Sequence, residues 1–237
     1  MIGDSLMRLA AALGLSFFLS GCASFGSDVG TVWSFGDLTK VGGVAAKAEG
    51  APKIVPTPAG PAIAFDGVKD ALFVDTHPLA GATTWTIDAI FRPDGGAFEQ
   101  RWLHLAEVDP KTEAETGTRF LFEIRVKDDR WYLDAFTVGD GYKMTLIDPS
   151  KTFALGRWYH VAMTYDGKMF RSYVDGVEQG AAAIDFKPQG QGHSSVGVRI
   201  NRVNYFHGAV QNVRFTPKAL PLEEISKVPA GLNPAGK

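Results

Sequence analysis

Short runs in which apolar and polar residues alternate, punctuated by glycine, proline and Asp-Gly pairs, recur along the chain from Thr31 to Phe215. Alternation with period two is the mark of strands that bury one face. The clearest case spans Gly156 to Gly176. Tyr159, Val161, Met163 and Tyr165 alternate there with Trp158, His160, Ala162 and Thr164, and Phe170, Ser172 and Val174 resume the pattern after Asp166-Gly167. That dipeptide tolerates the positive φ angles of a two-residue hairpin loop. With those residues as the loop, Met163 is expected opposite Phe170 and Tyr159 opposite Val174. Asp175-Gly176 forms the next turn.

The same criteria predict strands at Thr31 to Phe35, Ala62 to Phe65, Ala71 to Val74 and Thr84 to Phe91, the last ended by Pro93. Others fall at Arg101 to Val108, Arg119 to Val126, Trp131 to Val138, Ser194 to Ile200 and Ala209 to Phe215. The Gly-, Ala- and Pro-rich stretch from Val41 to Pro61 has little periodicity and reads as an irregular surface excursion. Only Leu222 to Lys227 looks helical, and only as a short turn. Many short strands with almost no helix predict an all-β fold, an antiparallel β-sandwich.

Composition narrows this to one domain. A chain of 237 residues, 45% of them hydrophobic, can build a substantial core, and the β patterning runs without a break. A formal net charge of −2 provides no pull toward polyanions, so nucleic acid is not an expected partner. The N-terminus reads as an address. Arg8 precedes the apolar run Leu9 to Leu19, too short to span a bilayer, and Leu19-Ser20-Gly21-Cys22 matches a lipobox. Cys22 is the only cysteine, which excludes an intrachain disulfide.

The expected organisation is a lipoprotein signal at 1–21, with Met1 or Met7 as its start. A lipidated Cys22 and flexible tether occupy 22–30, the domain 31–228 and a C-terminal tail 229–237. Lipid on Cys22 implies an exported protein held at a membrane, and Ala23, in place of the aspartate of inner-membrane retention, points to the outer membrane or periplasm-facing envelope in a source with two membranes.

Candidate chemistry centres on the hairpin Arg119 to Val138. Phe120, Phe122, Ile124 and Val126 share the core face; Arg119, Leu121, Glu123 and Arg125 share the other. A turn at Asp128-Asp129 sets Arg125 opposite Tyr132 and Glu123 opposite Asp134. Opposed carboxylates are unfavourable unless compensated. Three readings stand: a solvated polar network bridged by Arg119 or Arg125; a glycan-binding groove in which Tyr132 or Trp102 stacks on a sugar; and a retaining glycosidase, whose carboxyls sit about 5 Å apart. With Leu103 and Leu105 buried, Trp102 and His104 are expected on this outer face. Arg199, Asn201 and Arg202 are candidates for recognising acidic sugars or sulfate esters, or for pairing with surface acids. Trp158 and His160 read as scaffold.

Several of these segments together resemble the laminin-G-like domains of the concanavalin A-like lectin and glucanase superfamily. The likeness rests on Gly156-x-Trp158-x-His160-Val161-Ala162 with Tyr165-Asp166-Gly167 and Tyr173-Val174-Asp175-Gly176. Ala62 to Val68, Trp85-Thr86-Ile87 with Arg92-Pro93, Phe206-His207-Gly208, Val213-Arg214-Phe215 and Ala219 to Ile225 add to it. The resemblance implies a jelly roll. It also implies a structural Ca²⁺, for which Asp37 and Asn212 are the candidate ligands, with Gln211-Asn212 standing where a pair of aspartates is usual. No other cofactor is expected.

Because this fold serves lectins, hydrolases, lyases and adhesion modules, the resemblance leaves function open. The expected activity is non-catalytic binding of a carbohydrate or cell-surface ligand. The alternatives are a glycan-degrading enzyme using Glu123 and Asp134, and a structural envelope module. Two enzyme signatures fail: Glu107 to Glu113 has the wrong spacing for a glucanase pair and is interrupted by Pro110, and Tyr205 to Asn212 only loosely matches an alginate-lyase run.

Overall fold

The computed structural model describes residues 30–233. The predicted signal, the Cys22 lipidation site, most of the tether and the last four residues of the tail lie outside them. Seventeen strands form among the described residues: β1 (Thr31–Ser34), β2 (Lys40–Val41), β3 (Val44–Glu49), β4 (Lys53–Val55), β5 (Ala62–Asp66), β6 (Ala71–Val74), β7 (Trp85–Gly95), β8 (Glu99–Val108) and β9 (Glu115–Lys127). They continue with β10 (Arg130–Gly139), β11 (Tyr142–Ile147), β12 (Phe153–Ala154), β13 (Tyr159–Tyr165), β14 (Met169–Val174), β15 (Val177–Ala183), β16 (Gly192–Val196) and β17 (His207–Thr216).

Two antiparallel sheets face each other. One runs β15-β14-β13-β7-β17-β5-β4 with β1 on β17; the other runs β11-β10-β9-β8-β16-β6-β3-β2 with β12 on β10. Between them lies a core rich in aromatic rings. Trp102 stacks between Phe91 and Phe122 at 5.1 Å on each side, and Trp85 meets Phe120 edge-on at 4.7 Å. Offset and edge-on contacts of this kind add about 0.5–1.5 kcal/mol each beyond the area they bury.

The predicted strands are present, with instructive shifts. In the β13–β14 hairpin Tyr165 pairs with Phe170 and Val161 with Val174, two residues from the expected register. Asp166 is the cause: its carboxylate accepts the backbone N–H groups of Lys168 and Met169 at 2.9 and 2.8 Å, so the loop is longer than Asp166-Gly167. A slip of two preserves the faces, so the apolar sides still match. Pro93 does not end β7. It pairs with Gly208 where the β17 register shifts, an irregularity that accommodates its missing N–H. The predicted irregular excursion contains β2, β3 and β4, and β11, β12 and β15 also escape the pattern. Leu222 to Lys227 forms no helix, only a turn in which Glu224 N donates to Pro221 O at 3.0 Å.

The second face of β13 is covered by chain that follows β17. Ala162 and Tyr173 pack with Ile225 and Leu220, and Trp158 with Leu232. The Asn233 side chain accepts from Trp158 N at 2.9 Å and donates to Trp158 O at 2.8 Å. Leu232 and Asn233, beyond the expected 31–228 domain, are thus docked on it. Trp158 and His160 are buried.

Candidate functional site

The hairpin of β9 and β10 turns on Asp128 and Asp129, at φ of 51° and 59°, the left-handed pair a tight two-residue turn demands. The register follows as predicted: Tyr132 opposite Arg125, and Asp134 opposite Glu123. Phe120, Phe122 and Ile124 enter the core, so Arg119, Leu121, Glu123 and Arg125 face away from it.

The outer face extends across neighbouring strands in rows. Arg101, Glu123, Asp134 and Ile147 form one; His104, Leu121, Phe136 and Thr145 form the next; Ala106, Arg119, Val138 and Lys143 form the third. A cleft of about 260 Å³ opens over them, lined by Arg101, Arg119, Glu123, Asp134, Lys143 and Arg199 among others.

Arg125 compensates the opposed carboxylates. Its Nη2 lies 2.6 Å from Asp134 Oδ2 and its Nη1 3.0 Å from Glu123 Oε2. Arg101 adds an Nε contact to Glu123 Oε1 at 3.1 Å and a further ion pair with Glu99. Glu123 and Asp134 are only 4% and 2% exposed, and Asp134 Oδ1 has no hydrogen-bond partner among the described residues. Burial, reinforced by the charge of Glu123, pushes the Asp134 carboxyl up to about 6 although Arg125 opposes the shift. A guanidinium thus bridges the pair, as the polar-network reading expects, but the network is buried rather than solvated. Arg125 is that bridge, Arg101 joins unexpectedly, and Arg119 stands apart.

Trp102 does not reach this face. A bulge between Arg101 and Leu103 turns two consecutive side chains, Trp102 and Leu103, toward the core, and Trp102 is fully buried. His104 is on the outer face as expected but covered. The segment after β16 crosses it, and Ile200 N donates to His104 Nδ1 at 3.1 Å. Burial, then the charges of Arg199, Arg119 and Arg101, hold His104 down to about 3.

The Arg199, Asn201 and Arg202 group is dispersed. The predicted strand from Ser194 ends at Val196, and Gly197, Arg202 and Asn204 take positive φ as the chain turns. Arg199 reaches the cleft, whereas Asn201 is exposed on the turn. Arg202 forms a two-point ion pair with Glu49, at 2.8 Å from Nε and 2.6 Å from Nη2, over the ring of Phe73.

Tyr132 lines an adjoining groove of about 360 Å³ with Phe98, Arg130, Pro149 and Thr152. Phe98, 55% exposed, and Pro149 give it an apolar rim. The sequence pattern singles out neither Phe98 nor Lys143. Phe98 sits in a Gly-rich connection, and Lys143 belongs to β11, whose own alternation is weak.

For the candidate Ca²⁺ ligands, the Asp37 carboxylate accepts from Thr39 N and Thr39 Oγ1, both at 2.7 Å. The Asn212 amide donates to Gln211. No group of three or more His, Cys, Asp or Glu side chains suited to a metal comes together among the described residues.

A laminin G family model matches residues 66–226, and the chain belongs to the concanavalin A-like lectin/glucanases superfamily. No curated protein sequence matches it. Among solved structures it is similar to domain 4 of AbnA, a GH43 extracellular arabinanase from Geobacillus stearothermophilus, in complex with arabinotriose. That similarity has a TM-score of 0.61 and 16% identity over 82% of this chain and 94% of that one.

The receptor binding domain of botulinum neurotoxin D is similar at TM-score 0.60 and 12% identity, over 83% of this chain and 51% of the other. Trypanosoma rangeli sialidase in complex with sialic acid follows at 0.56 and 16%, over 82% and 31%. The chain thus spans nearly all of the arabinanase domain but about half or less of the other two. At these identities the likeness establishes the fold.

Proposed function

We propose that this chain is a non-catalytic carbohydrate-binding module whose ligand lies on the outer face of the β8, β9 and β10 sheet. The observation that carries this is the junction, on one face, of a groove rimmed by the exposed Phe98 and Pro149, with Tyr132 only 7% exposed beside them, and a cleft of carboxylates and guanidinium groups. Sugar rings stack on aromatic and apolar surface while their hydroxyls need fixed polar partners, and the two depressions offer both. The arabinotriose on the related Geobacillus domain supports the reading.

Catalysis is the weaker alternative. Asp134, its carboxyl pushed up to about 6, has the acidity of a general acid, but Glu123, the carboxylate left to act as nucleophile, is held on both oxygens, by Arg101 and Arg125. A glycan array, paired with reducing-end assays, tests both. Binding without turnover is expected, with affinity lost in Glu123→Ala/Asp134→Ala. Turnover abolished by that double variant would establish an enzyme. No binding and no turnover would favour a structural envelope module.

We also propose attachment to a membrane, with the outer membrane as its location, through lipid on Cys22. The support is the Arg8, Leu9 to Leu19 and Leu19-Ser20-Gly21-Cys22 series in the sequence. Metabolic labelling with a fatty-acid analogue is expected to mark the chain and to fail for Cys22→Ser. Labelling that persists in the variant would exclude this anchor.

A further inference from the structure

The four arginines of the cleft divide into two kinds. Arg101 and Arg125 are engaged by Glu99, Glu123 and Asp134. Arg119 and Arg199 have no acidic side chain within ion-pairing distance among the described residues. Arg119 donates from Nη1 to Gly117 O at 2.7 Å and lies over the Phe136 ring at 5.2 Å. The Nε–H of both Arg119 and Arg199 is buried without an acceptor. Burial and the neighbouring Arg199 charge both lower the pKa of Arg119.

His104, fully buried behind them, completes the pattern. Because its Nδ1 accepts from Ile200, the neutral ring carries its proton on Nε2, and that donor too lacks an acceptor. His104 does not line the cleft itself, but the like charges of Arg119 and Arg199 there, each with an unmatched donor, call for an acceptor that brings negative charge and more than one oxygen. The carboxylates in the same cleft do not supply it, since they are held by Arg125 and Arg101 on the far row. They remain suited to sugar hydroxyls.

Resting on the glycan-binding reading above, we propose that the Arg119 and Arg199 side of the cleft receives an oxyanion carried by a sugar, the carboxylate of a uronic acid or a sulfate ester. A planar guanidinium matches two such oxygens at once, and Lys143, on the row of Arg119, adds charge without directional demand. Specificity for acidic over neutral glycans then originates in two residues whose charge no internal acidic side chain neutralises.

The test is calorimetric titration of the chain with three probes of equal length: an oligogalacturonide, a sulfated galactan oligosaccharide and the neutral galactan oligosaccharide. One acidic probe is expected to bind at least about tenfold more tightly than the neutral one, and which one does so identifies the oxyanion. Its affinity is expected to fall with added salt. Arg199→Gln and Arg119→Gln are each expected to remove about tenfold of that affinity and so to close most of the gap to the neutral probe. Thermal unfolding of each variant verifies that it is folded, and either variant alone suffices.

Equal binding of acidic and neutral probes, or acidic binding indifferent to both substitutions, overturns the oxyanion site and leaves the glycan module standing. Failure of every probe here and of every glycan on the array overturns both.

Discussion

Glu123 and Asp134 stand directly opposite each other on adjacent antiparallel strands, both almost fully buried, and one guanidinium, that of Arg125, closes on the two. Opposed carboxylates are unfavourable by themselves, so Arg125 is what makes the pair tolerable. Arg125→Met is expected to cost about 3–5 kcal/mol at pH 7, the usual result of stripping a buried charge of its partner. At pH 5 the loss should shrink, because the Asp134 carboxyl, freed of Arg125, takes up a proton more readily. Urea unfolding at the two pH values measures this, and equal losses at both would contradict it.

Asp134 and His104 give opposite pH slopes. The Asp134 carboxyl titrates near 6 when folded against 3.8 as a free group, so its contribution is fully present below 3.8 and is lost as pH rises through 6. His104 titrates near 3 against 6.5, so its contribution is present above 6.5 and is lost as pH falls toward 3. Between these limits the two oppose each other and flatten the profile. Asp134→Asn removes the opposing slope and leaves those of His104 and of the other groups held below their ordinary values, buried His77 among them. On acidification from pH 6.5 to 4 the variant is expected to lose on the order of 2–3 kcal/mol more than the wild type. Parallel profiles for the two proteins would rule this out.

All five tryptophans are buried, none more than 5% exposed. Glycan binding on the outer face should therefore leave the wavelength of tryptophan emission unchanged. A shift at saturating ligand would move the site elsewhere. Trp102→Ala is expected to cost about 3–5 kcal/mol in chemical unfolding, as a core deletion rather than a lost sugar contact.

On the other sheet, Asp88 is fully buried with Arg214 Nε 2.8 Å from its Oδ2, while His160 Nε2 stands 3.7 Å from Oδ1, beyond hydrogen-bond distance. Arg214→Ala abandons that carboxylate and is expected to lower unfolding free energy by about 3–5 kcal/mol. Glycan affinity of the folded variant, measured by titration, is expected to be unaltered. A change in affinity would mean that the two sheets are coupled.

Local chemistry in the sequence is sufficient to specify most strands, the all-β class and the central feature of the site. Period two assigns faces, and a turn centred on Asp128-Asp129 gives one register whether it has two residues or four, so the opposition of Glu123 and Asp134 is legible in the order of residues alone. The lengthened Asp166 loop does not disturb the faces either, because its slip is an even number of residues.

What the sequence does not reveal is non-local. One extra residue at Trp102 reverses the side-chain parity from that point on, and nothing in the local pattern of β8 announces a bulge. β3, β4, β11 and β15 alternate weakly because they lie at or near sheet edges, with polar or small residues on much of their surface. Arg199 and Arg202, only three residues apart, part company because the chain turns between them. That turn carries Arg199 to the cleft beside Arg119, a residue 80 positions earlier in the chain. Periodicity and turn chemistry act within a strand or a hairpin. The meeting of separate strands and loops over one face is decided by sheet order and by bulges, which exist only in the folded chain.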